Sequence, residues 1–262
     1  MKIENENIYV QVKYSDLACD PKNIERYFFG FGGELYFSSG EIYDHDHKIA
    51  GEIKSFVKSK NLALRLHAPI IEIDYSELRD IKPYIHSTYD RVIDICRALS
   101  IKSIVAHAEF NYRINFSVKR QLDAAVLLWR ELCDKCETKL IDLNMENHNE
   151  LFADDLVALA KKIDSKHFGL CFDVGHINAF SNSSPDEWIE SCPGHLLKEA
   201  HLADNMGDDD THLPLGEGTI DIKNFVKSCI ELNRDSVFVL EPRNVEETER
   251  SLLFLRREGI ID

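Results

Sequence analysis

Two short runs, Ser103-Ile104-Val105-Ala106-His107 and Leu140-Ile141-Asp142-Leu143-Asn144-Met145-Glu146, bracket the stretch that decides the fold. Both are rich in residues that suit a pleated strand, and both end on an ionisable side chain. Between them, Leu122, Ala125, Val126, Trp129, Leu132, Cys133 and Cys136 recur at the three-and-four spacing of a buried helical face. Strand, helix, strand over about forty residues is the signature of a parallel crossover unit. The same alternation extends both ways. Further strand-like runs are Ile8–Val12, Glu34–Phe37, Ala63–His67, Gly169–Phe172, Glu199–Leu202 and Ser236–Leu240. Helical stretches fall near Pro21–Phe29, Asp44–Lys60, Pro83–Leu99, Ser117–Cys136, Asp154–Ile163, Pro185–Cys192, Ile222–Leu232 and Val245–Arg257. Eight such units predict an α/β (β/α)8 barrel, a single domain spanning 1–262. A doubly wound sheet is the rival, but it would carry a Gly-rich phosphate turn after its first strand. Lys13-Tyr14-Ser15-Asp16 stands there instead, and the cluster Gly30, Gly32, Gly33 precedes a strand.

The 262 residues are 44% hydrophobic and 29% charged, an ordinary globular balance that excludes disorder as the main state. A net charge of −15 disfavours a broad nucleic-acid surface, which needs cations. The polar start Met1–Asn7 has no apolar segment of a signal peptide, and the longest apolar run, Ala124–Trp129, is far short of a membrane span. A cytoplasmic protein without membrane contact is expected. Seven scattered cysteines argue against a disulfide framework, and the lone Cys133-x-x-Cys136 is expected to pack rather than react.

Function is written in where the acids and imidazoles fall. In a barrel the C-terminal ends of the strands form the active-site rim. His67, His107, Glu146, Asp173, His201 and Glu241 sit at six consecutive strand ends, with His176, Asp210 and His212 just beyond. Any one of these has an ordinary structural reading as a cap or hydrogen-bonding group. Four carboxylates converging without cations would repel one another, and divalent ions remove that cost. Carboxylate and imidazole together suit Zn, Mn, Co or Fe ions. His45 and His47 are expected at an exposed helix start. His86, His148, His167 and His195 lack strand-end placement and default to structure. Gly216-Glu217-Gly218 reads more readily as a tight turn than as a phosphate cradle, since Glu217 opposes an anion.

The order His67-x-Pro69, His107, Glu146, Asp173-x-Gly175-His176, His201-x-x-Asp204, Asp210-x-His212-x-x-x-Gly216-x-Gly218 and Glu241 resembles the xylose isomerase-like TIM-barrel superfamily. That group includes sugar phosphate isomerase/epimerase-type proteins and endonuclease IV. By resemblance to the ketose 3-epimerase-like members, Glu146, Asp173, His201 and Glu241 hold one metal ion, with Glu146 and Glu241 also exchanging the proton. By resemblance to endonuclease IV, all nine residues hold three zinc ions. Glu146 then bridges two of them, and His176, Asp210 and His212 hold the third. The DNA-probing Tyr of endonuclease IV has no counterpart after His67, where Ala68-Pro69-Ile70-Ile71 follows, so DNA is not the expected partner.

The expected function is therefore metal-dependent isomerisation or epimerisation of a small sugar or sugar phosphate, with one to three ions. Glu146, Glu241 and His176 are the expected catalytic groups, and metal-stabilised enediolate-like charge carries the reaction. The alternative is a di- or trizinc phosphoester hydrolase. The resemblance also implies a homodimer. Specificity is expected from the loops 75–82 and 110–116. Arg113, Lys119, Arg65 and Arg243 are the cations available to a phosphate.

Overall fold

The computed structural model describes residues 2–44, 47–112 and 117–262. Arg113 and His45 lie outside the described residues, and the side chain of His47 is likewise undescribed. Eight parallel strands close into a barrel in chain order: β1 Ile8–Lys13, β2 Gly32–Tyr36, β3 Leu64–His67, β4 Ser103–His107, β5 Asp142–Glu146, β6 Phe168–Asp173, β7 Leu197–Leu202 and β8 Val237–Leu240. The first pairs with the last through Ile8–Val10 against Phe238–Leu240. Each strand-like run of the sequence is a strand of this barrel.

Helices return the chain between strands, and their apolar stripes seal the outside of the sheet. The helix Val118–Glu137 buries Ala125, Leu128, Trp129, Leu132, Cys133 and Cys136. The two thiols of the C-x-x-C pair are thus part of its packing face, and burial pushes Cys136 up to about 12. Strands covered on both faces are buried almost throughout, as parallel sheets require.

Three boundaries differ from the sequence reading. Of the three glycines placed before the second strand, Gly32 and Gly33 belong to it. A Cβ on Gly32 would lie 2.4 Å from the Tyr9 ring and one on Gly33 2.2 Å from Phe28, so glycine permits the close approach. The stretch Pro21–Phe29 splits into a 3₁₀ turn, Pro21–Asn23, and the single turn Glu25–Phe28. The helix expected from Pro83 starts at Leu78, with Pro83 in its second turn. Pro83 forgoes one backbone bond there. The buried face Ile85, Tyr89, Val92, Ile93, Cys96 and Leu99 holds the helix regardless. Among the described residues no helix is long and apolar enough to cross a membrane.

Candidate metal centre

The alternation of strand side chains puts every second residue of each strand into the barrel. Register then sets the layers. His107 lies beside Glu146, Asp173 beside His201, and Tyr36 beside His67. Two residues below the rim, Arg65, Asn144 and Glu199 form a second polar layer on β3, β5 and β7.

The rim centres on Glu146, which is fully buried. Its Oε2 lies 3.0 Å from His67 Nε2 and 3.1 Å from His107 Nε2. Its Oε1 lies 3.3 Å from His201 Nδ1 and 3.4 Å from His176 Nδ1. The two oxygens thus face two different imidazole groups. His201 Nδ1 is also 2.8 Å from Glu241 Oε1. Beyond Asp173, whose carboxylate caps the helix Val174–Phe180 by accepting from the His176 backbone N–H at 2.6 Å, lies a third group. Asp210 Oδ2 is 3.3 Å from His176 Nε2 and 2.9 Å from His212 Nε2. The structure therefore brings together all nine residues singled out in the sequence.

In three of the imidazoles the far nitrogen is fixed by a backbone carbonyl. His67 Nδ1 donates to Ala68 O at 2.8 Å, His176 Nδ1 to Asn147 O at 2.8 Å, and His212 Nδ1 to Glu241 O at 2.9 Å. Such bonds select the tautomer that leaves Nε2 as a lone pair. His201 is turned the other way, with Nε2 3.5 Å from Glu34 Oε1 and Nδ1 toward the centre.

The residues fit a divalent ion on their own evidence. Glu146 Oε1, Asp173 Oδ2, Asp210 Oδ1 and both nitrogens of His201 are buried without a hydrogen-bond partner among the described residues. Buried lone pairs facing one another are costly unless a cation lies between them. His67, Glu146, His201 and Glu241 present ligand atoms within 4.8 Å of one another, as do His176, Asp210 and His212, and Glu146, Asp173 and His176.

With no ion counted, the charges settle on protons. Burial and the surrounding carboxylates push Asp173 up to about 6. Burial opposes the charged form of His107 and His212. Glu146 and Glu109 outweigh it at His107, and Asp210 and Glu241 outweigh it at His212, raising both to about 10. Burial also works against ionised Glu146, but the His201 and His107 charges hold it well below the usual range.

A family model described as xylose isomerase-like TIM barrel matches residues 31–258. The chain belongs to the xylose isomerase-like TIM barrel family. A 105-residue segment is 34% identical to the uncharacterized protein MJ1311 of Methanocaldococcus jannaschii, covering 39% of this chain and 35% of that protein. Among solved structures of the same barrel, a D-tagatose 3-epimerase-like protein superposes with a TM-score of 0.79 at 21% identity, covering 97% of each chain. The TTHB071 protein from Thermus thermophilus, from a crystal soaked with ZnCl2, superposes at 0.78 and 19% identity, covering 97% of this chain and 98% of that one. At such identities the shared property is the family's fold.

Two sequence readings, on Arg65 and His148, are corrected, and one, on Gly216–Gly218, holds. Arg65 is not available to a substrate phosphate, because its Nε and Nη2 each lie 2.6 Å from the Glu199 carboxylate and Nη2 also donates to Ser103 Oγ at 2.6 Å. The Gly216–Gly218 turn has its N–H groups occupied. Gly216 and Gly218 donate to Asp204 Oδ2 at 2.9 and 3.0 Å, which confirms the turn and closes the phosphate reading. His148 belongs to the site, its ring 5.0 Å from that of His107 and 4.9 Å from that of His176. The sequence reading passes over Glu34, Glu109 and Glu150. For Glu34 a signal exists: it stands two residues before Tyr36, on the inward face of β2. Lys119 is exposed, and Arg243 is paired with Glu247 at 2.7 Å.

Proposed function

We propose that the protein is a divalent-metal-dependent isomerase or epimerase acting on a small sugar or sugar phosphate. The observation that carries this reading is at the barrel rim: Glu146, Asp173 and His201 leave oxygens and nitrogens buried without a partner among the described residues, and Glu146 and His201 present ligand atoms within 4.8 Å of Glu241. Similarity to an epimerase-like barrel supports it. Glu146, Asp173, His201 and Glu241 would hold the catalytic ion. When bound, that ion supplies electrophilic stabilisation of negative charge on substrate oxygens.

The chain's own residues do the rest. Glu241 Oε1 is held by Gln11 Nε2 and faces His201, while its Oε2 is 3.7 Å from His212 Nδ1. Oε2 is the less encumbered oxygen and is assigned the proton taken from the carbon beside the carbonyl or hydroxyl. Glu146 is assigned the return of a proton, and His176, fixed through Asn147 O, orients the substrate.

A second reading has a specific observation in its favour. Glu146 divides its oxygens between the His67/His107 pair and His201, and His176, Asp210 and His212 form a further group. That layout suits a two- or three-ion phosphoester hydrolase, in which a bridging carboxylate is not free to carry a proton. Native mass spectrometry with elemental analysis separates the two. Turnover of a ketose panel, with an ion held by Glu146, Asp173, His201 and Glu241 whether or not a second occupies the His67–His107–Glu146 position, is the expected result. Three zinc ions, with cleavage of phosphomonoesters or an abasic duplex, would sink the isomerase. Loss of ketose turnover in Glu241→Gln but not in His212→Ala would support the four-ligand mechanism.

A further inference from the structure

Outside the nine rim residues lies a polar knot built from the β4 and β5 loops. Glu109, two residues past the end of β4, has φ +58°, a left-handed conformation unusual for a residue with a side chain. The loop is held in this shape from both sides. Glu150, itself buried, accepts from the Phe110 backbone N–H at 3.1 Å and the His148 backbone N–H at 2.6 Å, joining the two loops. Tyr75 donates its hydroxyl to Ala108 O, and Trp129 Nε1 donates to that hydroxyl at 3.0 Å.

This frame delivers Glu109 Oε1 to 3.2 Å from His107 Nδ1 and 3.1 Å from His148 Nδ1. Asn149 Nδ2 lies 3.1 Å from that same His148 nitrogen. On the other edge of its ring, His107 Nε2 faces Glu146 Oε2 at 3.1 Å. The contrast with the other imidazoles is informative. His67, His176 and His212 each rest on a neutral backbone carbonyl, and the carboxylate behind His201 stands at 3.5 Å. His107 is the rim imidazole with a carboxylate in close hydrogen-bond contact behind it. A carboxylate in that position fixes ring orientation and tautomer and makes the opposite nitrogen a stronger ligand.

We infer that Glu109 is a positioning residue that sets His107 Nε2 as a metal ligand beside His67 and Glu146, with His148 bracing Glu109. The inference rests on the proposal that the rim binds divalent metal. A strained, braced loop that serves only folding would have no need to place a carboxylate on His107.

The test uses the full chain stripped with a chelator and titrated with Zn²⁺ by calorimetry with chelator competition. Glu109→Gly removes the carboxylate while favouring the positive φ, so it separates the carboxylate from the loop conformation. His67→Ala identifies the binding step that belongs to the His67–His107–Glu146 position. The expected result is that Glu109→Gly weakens that same step about 10- to 100-fold, with Glu109→Gln less affected because its carbonyl still accepts from Nδ1. The Nδ1 proton resonance of His107, seen by NMR in the Zn²⁺-loaded protein, is expected to shift or vanish in Glu109→Gly. Zn²⁺ binding unchanged in Glu109→Gly, or weakened equally at every step, overturns the inference. Absence of Zn²⁺ binding by the unsubstituted protein overturns the metal proposal beneath it.

Discussion

The barrel holds two buried polar layers two residues apart, and they are finished differently. In the lower one, Arg65 meets both oxygens of Glu199 at 2.6 Å, and Ser103 Oγ and Glu199 Oε2 accept from Asn144 Nδ2 at 3.1 and 2.9 Å. The Arg65 guanidinium also lies 5.3 Å from the Tyr9 ring centroid. Charge is balanced by side chains that cannot leave. In the upper layer, five rim atoms on Glu146, Asp173, His201 and Asp210 are buried without a partner among the described residues. Below, the charges are met by internal pairing, with Asn144 Oδ1 left without a partner among the described residues; above, five atoms are left open. A closed network serves the fold, and an open one awaits a ligand.

The largest effect should come from opening the closed layer. Arg65→Ala leaves Glu199 as an uncompensated buried charge, and removing one member of such a pair costs about 3–5 kcal/mol. Urea denaturation at neutral pH measures it. A loss below about 1 kcal/mol would show that water or a proton replaces the arginine and that the two layers are less distinct than their geometry.

Closing the open layer should act in the opposite direction. Free Zn²⁺ at about a thousand times its dissociation constant should stabilise the protein by about 4 kcal/mol, roughly 10 °C in a chain of this length. In Glu146→Gln, which removes the shared carboxylate, that rise should largely vanish. The pH dependence gives a second handle. In metal-free protein His107 and His212 are raised to about 10, above the unfolded value. Their stabilisation is complete below about pH 6.5 and is lost as pH climbs through about 10. Melting temperature with chelator should therefore fall between pH 7 and 10. With Zn²⁺ the imidazoles are neutral ligands, and the fall should be absent because metal no longer competes with protons. Parallel curves with and without Zn²⁺ would mean that neither His107 nor His212 is a ligand.

The difference between the layers also accounts for what is legible in the sequence. Strand ends are visible, because periodicity changes there, and reading the ionisable residue at each end yields the upper layer. The lower layer obeys an equally simple rule. Arg65 precedes His67 by two, Asn144 precedes Glu146, and Glu199 precedes His201, so the period of a strand carries one layer into the next. Arg65 reads instead as an available cation, since a partner on β7, 134 positions away, is set by barrel closure rather than by spacing. Glu109 and Glu150 are illegible for another reason. Their meaning depends on a left-handed turn and on two loops meeting, which hydrophobic patterning does not encode. The helix at Leu78 begins before Pro83 because a buried stripe outweighs one missing backbone bond.

The smallest expected effect sharpens the comparison most cleanly. Lys60 Nζ lies 2.6 Å from Glu25 Oε1, the same separation as Arg65 Nε from Glu199 Oε1. The side chains of the first pair are 47% and 71% exposed and those of the second 12% and 0%. Equal distance would mean equal energy if Coulomb attraction decided the matter. In water the attraction is screened, and ordering two long side chains opposes it, so exposed pairs contribute about 0–1 kcal/mol. Lys60→Ala should therefore shift the urea midpoint by an amount near the error of measurement, and less still at about 1 M salt. A loss comparable to that of Arg65→Ala would mean that the pair spans helix Glu25–Phe28 and helix His47–Lys60 as a structural tie. Burial would then not be what separates the strong ion pairs of this barrel from the weak ones.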